Sequence, residues 1–397
     1  MRVLLVTGKG GVGKTSVAAA TAAHAAGAGT RTLLVSTDPA HSLADALDVE
    51  VGDAPTALAP GLEAAQVDAR RRLVDSWEDI RAYLVALLRW GGLDEVAAEE
   101  LALLPGLDEL FALADIRAHV DAGTVDLLVV DCAPTAETLR LLSLPDVLGW
   151  YLERGFDLER TLARVVRPML GRRSEVPLPD DAVVGSVGRL YHALERVRDV
   201  LLDTARTSVR LVCTPERVVI AETRRTHTAL GLFGYHVDGV VVNRVLPEEA
   251  SGPYLDGWRA AQARGLASVQ EGFAGVTRLT APLLEAEPVG LAALTALGAR
   301  IYEGLDPTAR LSEGEPLRLR RDGDEAELSV ALPFAERDDV DVFRRADELY
   351  VAVDGHTRSI LLPQQLRHAR VVAAGLAEGR LDVRFAMPEG AGQDRRP

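Results

Sequence analysis

Short apolar runs recur along the first part of the chain, and longer segments with helical spacing separate them. The runs occupy residues 3–6, 32–35, 127–130, 209–213 and 237–242. Each run is short and rich in Val and Leu, which is typical of strands buried in the centre of a sheet. Because strands that alternate with helices form parallel sheets covered on both faces, the sequence predicts an α/β fold here.

Two long insertions interrupt this alternation, at about residues 67–120 and 144–204. Both carry apolar side chains at helical spacing, so we expect helices in both. In the second insertion the apolar residues fall on one stripe: Val187, Leu190, Tyr191, Leu194, Val197 and Leu201. For this stripe we favour ordinary core.

From about residue 311 the apolar positions recur with a period of two, after a charged connector at residues 312–316. They are Leu328, Val330, Leu332, Leu349, Val351, Val353, Ile360, Leu362, Leu381, Val383 and Phe385. Such alternation, with turn residues in between, predicts a small all-β sandwich over residues 311–389. Residues 390–397 are expected to form a disordered tail. Residues 1–310 would form the α/β domain with its helical insertions.

A glycine-rich loop joins the first apolar run to an Ala-rich segment, and two phosphate-binding motifs compete for it. Gly8, Gly10 and Gly13 fit the dinucleotide pattern G-x-G-x-x-G. Asp38, the acid that follows the second run, would suit that interpretation as well.

The longer P-loop pattern, G-x-x-x-x-G-K-[ST], decides between the two. It ends in Lys14 and Thr15, which a P-loop needs for the β- and γ-phosphates and for Mg²⁺, whereas a dinucleotide site needs neither. We therefore expect an NTP site. Its phosphate-binding residues would be Gly8, Lys9, Gly10, Gly11, Val12, Gly13, Lys14, Thr15 and Ser16.

Both lysines of the chain lie in this same loop. Of the 44 basic residues, all are arginine except Lys9 and Lys14. An ammonium is a compact charge on a flexible stem, which a planar guanidinium does not replace. The ordinary explanation for Lys9 is a solvated surface lysine. In a chain that otherwise uses arginine, we favour a lysine that reaches the nucleotide of a facing subunit.

Several segments together resemble one ATPase family. Residues 9–15 resemble the altered Walker A loop of the dimeric signal-recognition and Min-type P-loop ATPases. Residues 36–45 and 131–142 resemble switch I and switch II of the arsenical-pump-driving and tail-anchored-protein-targeting ATPases. The resemblance covers about residues 1–305, with these motifs in the family's order.

The resemblance implies a role for each matching residue. ATP and Mg²⁺ would be the ligands, and the chain would act as a homodimer. Thr15 would bind Mg²⁺, while Asp131 and Asp45 would hold its water shell. Asp38, Lys14 and a Lys9 from the partner subunit would be catalytic, with Asp38 orienting the attacking water. Asn243 and Pro282 would contact adenine, and Glu216 would lie near the nucleotide at the dimer interface.

Some family features are missing from the sequence. Ala136 and Glu137 stand where relatives carry Gly-His in switch II. No cysteine follows Asn243, so the zinc clamp of the eukaryotic relatives cannot form, and we expect no zinc site. Cys132 and Cys213 are the only cysteines, too few for the three-thiolate cluster of arsenite-responsive relatives. Both are expected to be buried structural residues rather than reactive thiols.

Composition narrows the function classes. A net charge of −15 argues against a nucleic-acid partner, which would need a basic surface. Two cysteines and no signal peptide predict a cytoplasmic protein. No run of about 18 unbroken apolar residues predicts a membrane span.

The sequence therefore predicts a homodimeric Mg-ATP-hydrolysing ATPase whose nucleotide state opens and closes an apolar groove. Family resemblance implies a hydrophobic client helix and a membrane receptor as partners. The order of the C-terminal segments resembles the α-crystallin domain appended to some bacterial members. Three alternatives stay open. The first is an ATPase that energises arsenite or oxyanion efflux, and the second is a Par- or Min-type spatial regulator. The third is a non-enzymatic holdase that acts through the β-domain alone.

Overall fold

The computed structural model describes residues 1–37, 42–66, 74–101, 117, 119–132, 180–323 and 325–387. The elements up to residue 302 are β1 (Arg2–Thr7), α1 (Lys14–Gly27), β2 (Thr32–Ser36), α2 (Ser42–Leu47), β3 (Thr56–Ala59), β4 (Leu62–Gln66), α3 (Val74–Trp90), α4 (Glu95–Leu101), β5 (Leu127–Asp131), α5 (Asp181–Leu202), β6 (Thr207–Cys213), α6 (Arg217–Phe233), β7 (Val237–Val245), α7 (Pro253–Gly272), β8 (Thr277–Pro282) and α8 (Leu291–Tyr302). The later strands are β9 (Leu317–Asp322), β10 (Glu325–Ala331), β11 (Val340–Arg345), β12 (Glu348–Val353), β13 (His356–Leu361), β14 (Arg370–Ala377) and β15 (Arg380–Ala386), with short 3₁₀ helices at Arg337–Asp339 and Gln364–Leu366.

An eight-stranded sheet forms the centre of the fold, in the order β3-β4-β2-β5-β1-β6-β7-β8. The strand pairs from β4 to β8 are parallel, so the predicted α/β fold is confirmed. In register, Val6 of β1 pairs with Asp131 of β5, and Ser36 of β2 pairs with the same aspartate. The carboxyl ends of β1, β2 and β5 therefore meet at one edge, where ligands bind in open α/β sheets.

Three strands of the central sheet were not predicted from the sequence. β3 pairs antiparallel with β4 at one end of the sheet, and β8 forms the other end beside β7. β3 and β4 are short and Ala-rich, and β8 ends in a proline, so none has a strong local strand signal. Their strand conformation comes from pairing with β2 and β7.

Small side chains let helix α1 pack closely. Ala18, Ala20 and Ala22 are fully buried. On α8, a Cβ at Gly298 would lie 2.4 Å from the carbonyl oxygen of Ala20, so only glycine fits there. This close packing fixes the helix whose first turn follows the glycine-rich loop.

Two compact units make up the chain. One consists of Met1–Val67, Ala122–Ala136 and Val200–Pro397, and the other of Asp68–Asp121 and Glu137–Asp199. The second unit contains α3, α4 and most of α5. Within it, Ser186 Oγ donates to Asp79 Oδ2 at 2.6 Å, which joins α5 to α3.

The helix predicted over residues 187–201 in the second insertion is confirmed by α5, on which Leu190, Leu194, Val197 and Leu201 are buried. Residues 144–179 of that insertion lie outside the described residues. None of the helices in the described ranges combines the length and apolar character that a bilayer crossing requires. The expected boundaries at residues 310 and 389 stay predictions, and the tail at 390–397 lies outside the described residues.

Two antiparallel sheets form the C-terminal region. One has the order β14-β15-β10-β9 and the other β11-β12-β13. The apolar positions predicted from the alternation are buried in both sheets. The predicted all-β sandwich is therefore confirmed, since β10, β12, β13 and β15 turn these apolar residues to the interior.

The sandwich contacts α6 directly. A Cβ at Gly231 would lie 2.3 Å from the carbonyl oxygen of Ala331, so the backbones of α6 and β10 are in direct contact there. Phe334, which follows β10, packs against Phe273 with ring centroids 4.9 Å apart. The guanidinium of Arg224 lies 5.2 Å from the centre of the Phe334 ring. Helix α6 thus lies between the sandwich and the central sheet.

Candidate functional site

The glycine-rich loop connects β1 to α1 at the carboxyl edge of the sheet, and two of its glycines are sterically required. A Cβ at Gly8 would lie 2.1 Å from the carbonyl oxygen of Val212. Gly13 has a φ of +91°, and a Cβ there would lie 2.4 Å from Asn243 Nδ2. Beside Gly10 and Gly11, no atom of the described residues lies within 4 Å of the Cβ position, so the described part of the chain leaves this side of the loop open.

Helix α1 offers free backbone donors to this open side. It begins at Lys14, and its N-cap residue, Gly13, has no side chain that could accept a hydrogen bond. The first N–H groups of a helix have no partner inside the helix, and its N-terminus carries a partial positive charge. Such an end binds a phosphate group well.

The two lysines of the loop point to different partners. Lys14 Nζ donates to the backbone oxygen of Lys9 at 3.3 Å, so its ammonium lies over the loop. Lys9 Nζ instead lies 2.7 Å from Glu222 Oε2 on α6. The ammonium of Lys14 therefore lies over the loop, while the ammonium of Lys9 pairs with the carboxylate of Glu222 in the same chain.

Oxygen donors converge at the start of α1. Thr15 Oγ1 donates to Asp131 Oδ2 at 2.7 Å and lies 3.1 Å from Ser42 Oγ. Ser36 Oγ donates to the same carboxylate oxygen at 3.3 Å. Asp131, the last residue of β5, is 1% exposed. A carboxylate and hydroxyl oxygens are ligands that suit Mg²⁺, so this donor set fits the metal.

Sequence reasoning identified Thr15 and Asp131 but missed Ser36 and Ser42. Their positions could have revealed them in the sequence. Ser36 ends β2 and Ser42 begins α2, and both belong to the segment that resembles switch I. Asp45 lies on α2 with an exposed side chain, and the structure does not bring it to Thr15 and Asp131. Asp38 lies outside the described residues.

A cavity of about 320 Å³ opens beside the loop. Its walls include Gly13, Ser16, Asn243, Pro282 and Leu297. The two residues expected to contact adenine therefore share one cavity with two loop residues. This volume is within the range of small-molecule sites.

Asn243 also fixes the loop. Its Nδ2 donates to the carbonyl oxygen of Val12 at 2.8 Å, and its Oδ1 accepts from the N–H of Arg244 at 2.9 Å. Arg244 has a φ of +59°, so the strand turns sharply here. One side chain thus joins β7 to the glycine-rich loop.

Glu216 lies at the N-cap position of α6, with an exposed side chain. Thr214 Oγ1 donates to its Oε2 at 3.0 Å, which fixes the carboxylate next to the end of β6. The same strand approaches Gly8 through Val212. Glu216 is therefore placed at the sheet edge that carries the loop.

Both cysteines are buried, as expected. Burial raises the pKa of the Cys213 thiol to about 12, and it raises the pKa of the Cys132 thiol further, with the Asp131 carboxylate adding to the effect. Thiols of this kind stay protonated and unreactive at neutral pH.

Comparison with known proteins places this site in a family. The family model described as anion-transporting ATPase matches residues 1–303, and a model described as an HSP20-like domain found in ArsA matches residues 323–385. The chain belongs to the anion-transporting ATPase family. The resemblance inferred from the switch segments and from the order of the C-terminal strands is confirmed.

Two of the relatives match this ATPase over more than nine-tenths of its length, and a third matches a shorter part. A protein of Chlorobaculum tepidum named arsenical pump-driving ATPase is 37% identical over 369 residues, which are 92% of this chain and 91% of the relative. A protein of Aquifex aeolicus, named arsenical pump-driving ATPase 1, is 33% identical over 93% of this chain and 96% of its own length. ATPase ASNA1 homolog 1 of Paramecium tetraurelia is 30% identical over 62% of this chain and 75% of its own length. The protein is thus an ATP-hydrolysing enzyme with a C-terminal HSP20-like domain.

Proposed function

We propose that this ATPase binds Mg-ATP in the loop between β1 and α1 and hydrolyses it as a homodimer. The observation that supports the proposal is that the two loop lysines point to different partners. The ammonium of Lys14 lies over its own loop, and the ammonium of Lys9 does not. Lys14 and the free N–H groups of α1 would bind the β- and γ-phosphates. The cavity lined by Asn243 and Pro282 would hold the adenine.

Thr15 and Asp131 would hold Mg²⁺, Thr15 directly and Asp131 through water. The bound metal would neutralise charge on the transferring phosphoryl group. Ser36 donates to Asp131 and so keeps its carboxylate aimed at Thr15. Asp45 would help to hold the water shell of the metal, and Glu216 would lie near the nucleotide at the dimer interface.

Asp38 would orient the attacking water, and Lys9 of the partner would stabilise the charge of the transition state. Phosphoryl transfer depends chiefly on positioning and charge stabilisation, so one carboxylate and two ammonium groups suffice. A cation supplied from a partner typically raises the rate about 10³- to 10⁵-fold. Hydrolysis would therefore depend on dimer formation.

The helical unit would bind an apolar client helix, and the nucleotide state would control access to it. In its described part, Trp90, Leu93 and Val96 are exposed, with Val96 at 68%. Apolar groups clustered at a surface mark interaction sites. A client with a membrane-spanning helix implies a membrane receptor as a further partner.

A mixing experiment tests the shared site. Lys9→Ala and Asp38→Asn should each be inactive alone, the first because its partner's nucleotide lacks the lysine and the second because it cannot position water. A mixed dimer restores one complete site, so random mixing at equal amounts should give about a quarter of the wild-type rate. An unchanged, near-zero rate on mixing would exclude a lysine that acts across the dimer.

The names of the relatives favour a second candidate, an ATPase that energises oxyanion efflux. The two thiols of the chain are buried and protonated, which leaves no thiolate for a metalloid. Measurement of the ATPase rate with and without arsenite or antimonite separates the candidates. Clear stimulation would favour the pump, and client-dependent stimulation would favour the groove.

A further inference from the structure

Glu222 holds the ammonium of Lys9 away from its own loop. The distance from Lys9 Nζ to Glu222 Oε2 is 2.7 Å, and the side chains are 38% and 37% exposed. Glu222 lies in the second turn of α6, which begins at Arg217. The pair joins the loop at the start of the chain to a helix that follows β6.

The partial solvent exposure of both side chains makes the Lys9–Glu222 ion pair weak. Water competes with both charges, and the two flexible side chains lose freedom when they pair, so such ion pairs are weak. A triphosphate carries several negative charges and would attract the same ammonium more strongly. A triphosphate can therefore replace Glu222 as the partner of the Lys9 ammonium.

We infer that Glu222 is a positioning residue that holds Lys9 within its own subunit until a second copy of the chain presents a triphosphate. The inference rests on the proposed function, in which Lys9 acts across the dimer. Closure of the dimer must then break one Lys9–Glu222 pair in each subunit. Glu222 opposes closure when no nucleotide is present and is outcompeted when ATP is bound.

The size of the effect follows from the strength of exposed ion pairs. Loss of one such pair shifts an equilibrium about two- to fivefold. A symmetric dimer breaks two pairs, so removal of Glu222 should strengthen the dimer about four- to 25-fold. Glu222 thus raises the protein concentration needed for closure without preventing it.

Sedimentation equilibrium with a non-hydrolysable ATP analogue and Mg²⁺ tests this on the full chain. Glu222→Gln keeps the shape of the side chain and removes its charge. The dimer dissociation constant should fall about four- to 25-fold, and the ATPase rate should reach its plateau at a lower protein concentration. The matched control is Glu271→Gln, which removes an exposed carboxylate of α7 and should leave the dissociation constant unchanged.

A double-mutant cycle separates positioning from a general effect of charge. In a Lys9→Ala background, Glu222→Gln has no ammonium to release, so it should not change dimerisation. The same gain in that background would overturn the inference, as would a dissociation constant for Glu222→Gln equal to the wild-type value or above it. If Glu222→Gln proves unstable in thermal unfolding, Glu222→Asp, which shortens the reach to Lys9, gives the same comparison.

Different results would contradict the proposed function and the role of Glu222. Wild-type protein that stays monomeric with the ATP analogue, or Lys9→Ala protein that hydrolyses ATP normally, would contradict the proposed function itself. If wild type dimerises and Lys9→Ala is inactive, but Glu222→Gln behaves like Glu271→Gln, only the role of Glu222 is wrong.

Discussion

Arg358 of the HSP20-like domain donates a hydrogen bond of 2.6 Å from its Nη1 to the carbonyl oxygen of Leu232, near the end of α6. Arg358 is 5% exposed, so the bond is shielded from water. The other end of α6 begins at Arg217 and carries Glu222, the partner of Lys9. One helix therefore contacts the HSP20-like domain at its end and the glycine-rich loop near its start.

Arg358→Ala should destabilise the protein. The substitution leaves the buried carbonyl of Leu232 without this donor, which costs about 1–3 kcal/mol. Denaturant unfolding measures the change. Arg370→Ala, which removes an exposed arginine of β14, should change the free energy of unfolding by less than about 0.5 kcal/mol. Equal effects of the two variants would mean that the Leu232 contact adds nothing.

Gly231→Ala should separate the HSP20-like domain from α6 or destabilise the protein by about 1–3 kcal/mol, because the new Cβ would collide with the carbonyl oxygen of Ala331. Gly257→Ala is the matched control, since Gly257 lies within helix α7 and its Cβ position has no atom within 4 Å. That control should raise stability by about 0.5–1 kcal/mol. Limited proteolysis and thermal unfolding report the two outcomes, and a stabilised Gly231→Ala variant would contradict the close contact.

Ser36→Ala should weaken the response to Mg²⁺. It removes the hydroxyl that donates to Asp131 Oδ2, and loss of such a supporting bond typically lowers metal affinity about 10- to 100-fold. The ATPase rate measured against Mg²⁺ concentration gives the shift. Ser251→Ala, at an exposed serine, should leave the curve unchanged. Identical curves for Ser36→Ala and wild type would argue against Asp131 as part of the metal site.

Acid should destabilise the contact between α6 and the HSP20-like domain. Burial lowers the pKa of His227 from 6.5 to about 4, with the nearby His236 adding to the effect. His227 packs beside Phe273 and Phe334. Between these pH values the unfolded chain binds a proton that the folded chain does not, so stability is lost as pH falls from about 6.5 to about 4.

The full loss attributable to His227 is about 3 kcal/mol, from roughly 2.5 pKa units at 1.36 kcal/mol each. Urea unfolding at several pH values measures it. His227→Phe removes the titrating group and should flatten the dependence, although burial also lowers the pKa of His236 and leaves a smaller slope of the same sign. A wild-type stability that does not change over this range would refute the prediction.

Local patterns determined much of this protein. The five predicted strands lie within β1, β2, β5, β6 and β7, because short runs rich in Val and Leu that alternate with helical segments favour buried strands. Alternation likewise predicted β10, β12, β13 and β15 of the C-terminal sheets, since a period of two places the alternating apolar residues of a strand on one face. The spacing of Gly8, Gly13, Lys14 and Thr15 predicted a phosphate-binding loop, because this motif lies within one short segment between a strand and a helix.

Tertiary structure decided the rest. The strands β3, β4 and β8 have little intrinsic preference and exist because neighbouring strands pair with them. Ser36 and Ser42 became candidate site residues only when β2, β5 and α1 came together. The pair of Lys9 with Glu222, and the bond of Arg358 to Leu232, join residues far apart in sequence. No local pattern encodes such contacts, because they depend on where the packed sheet places α6.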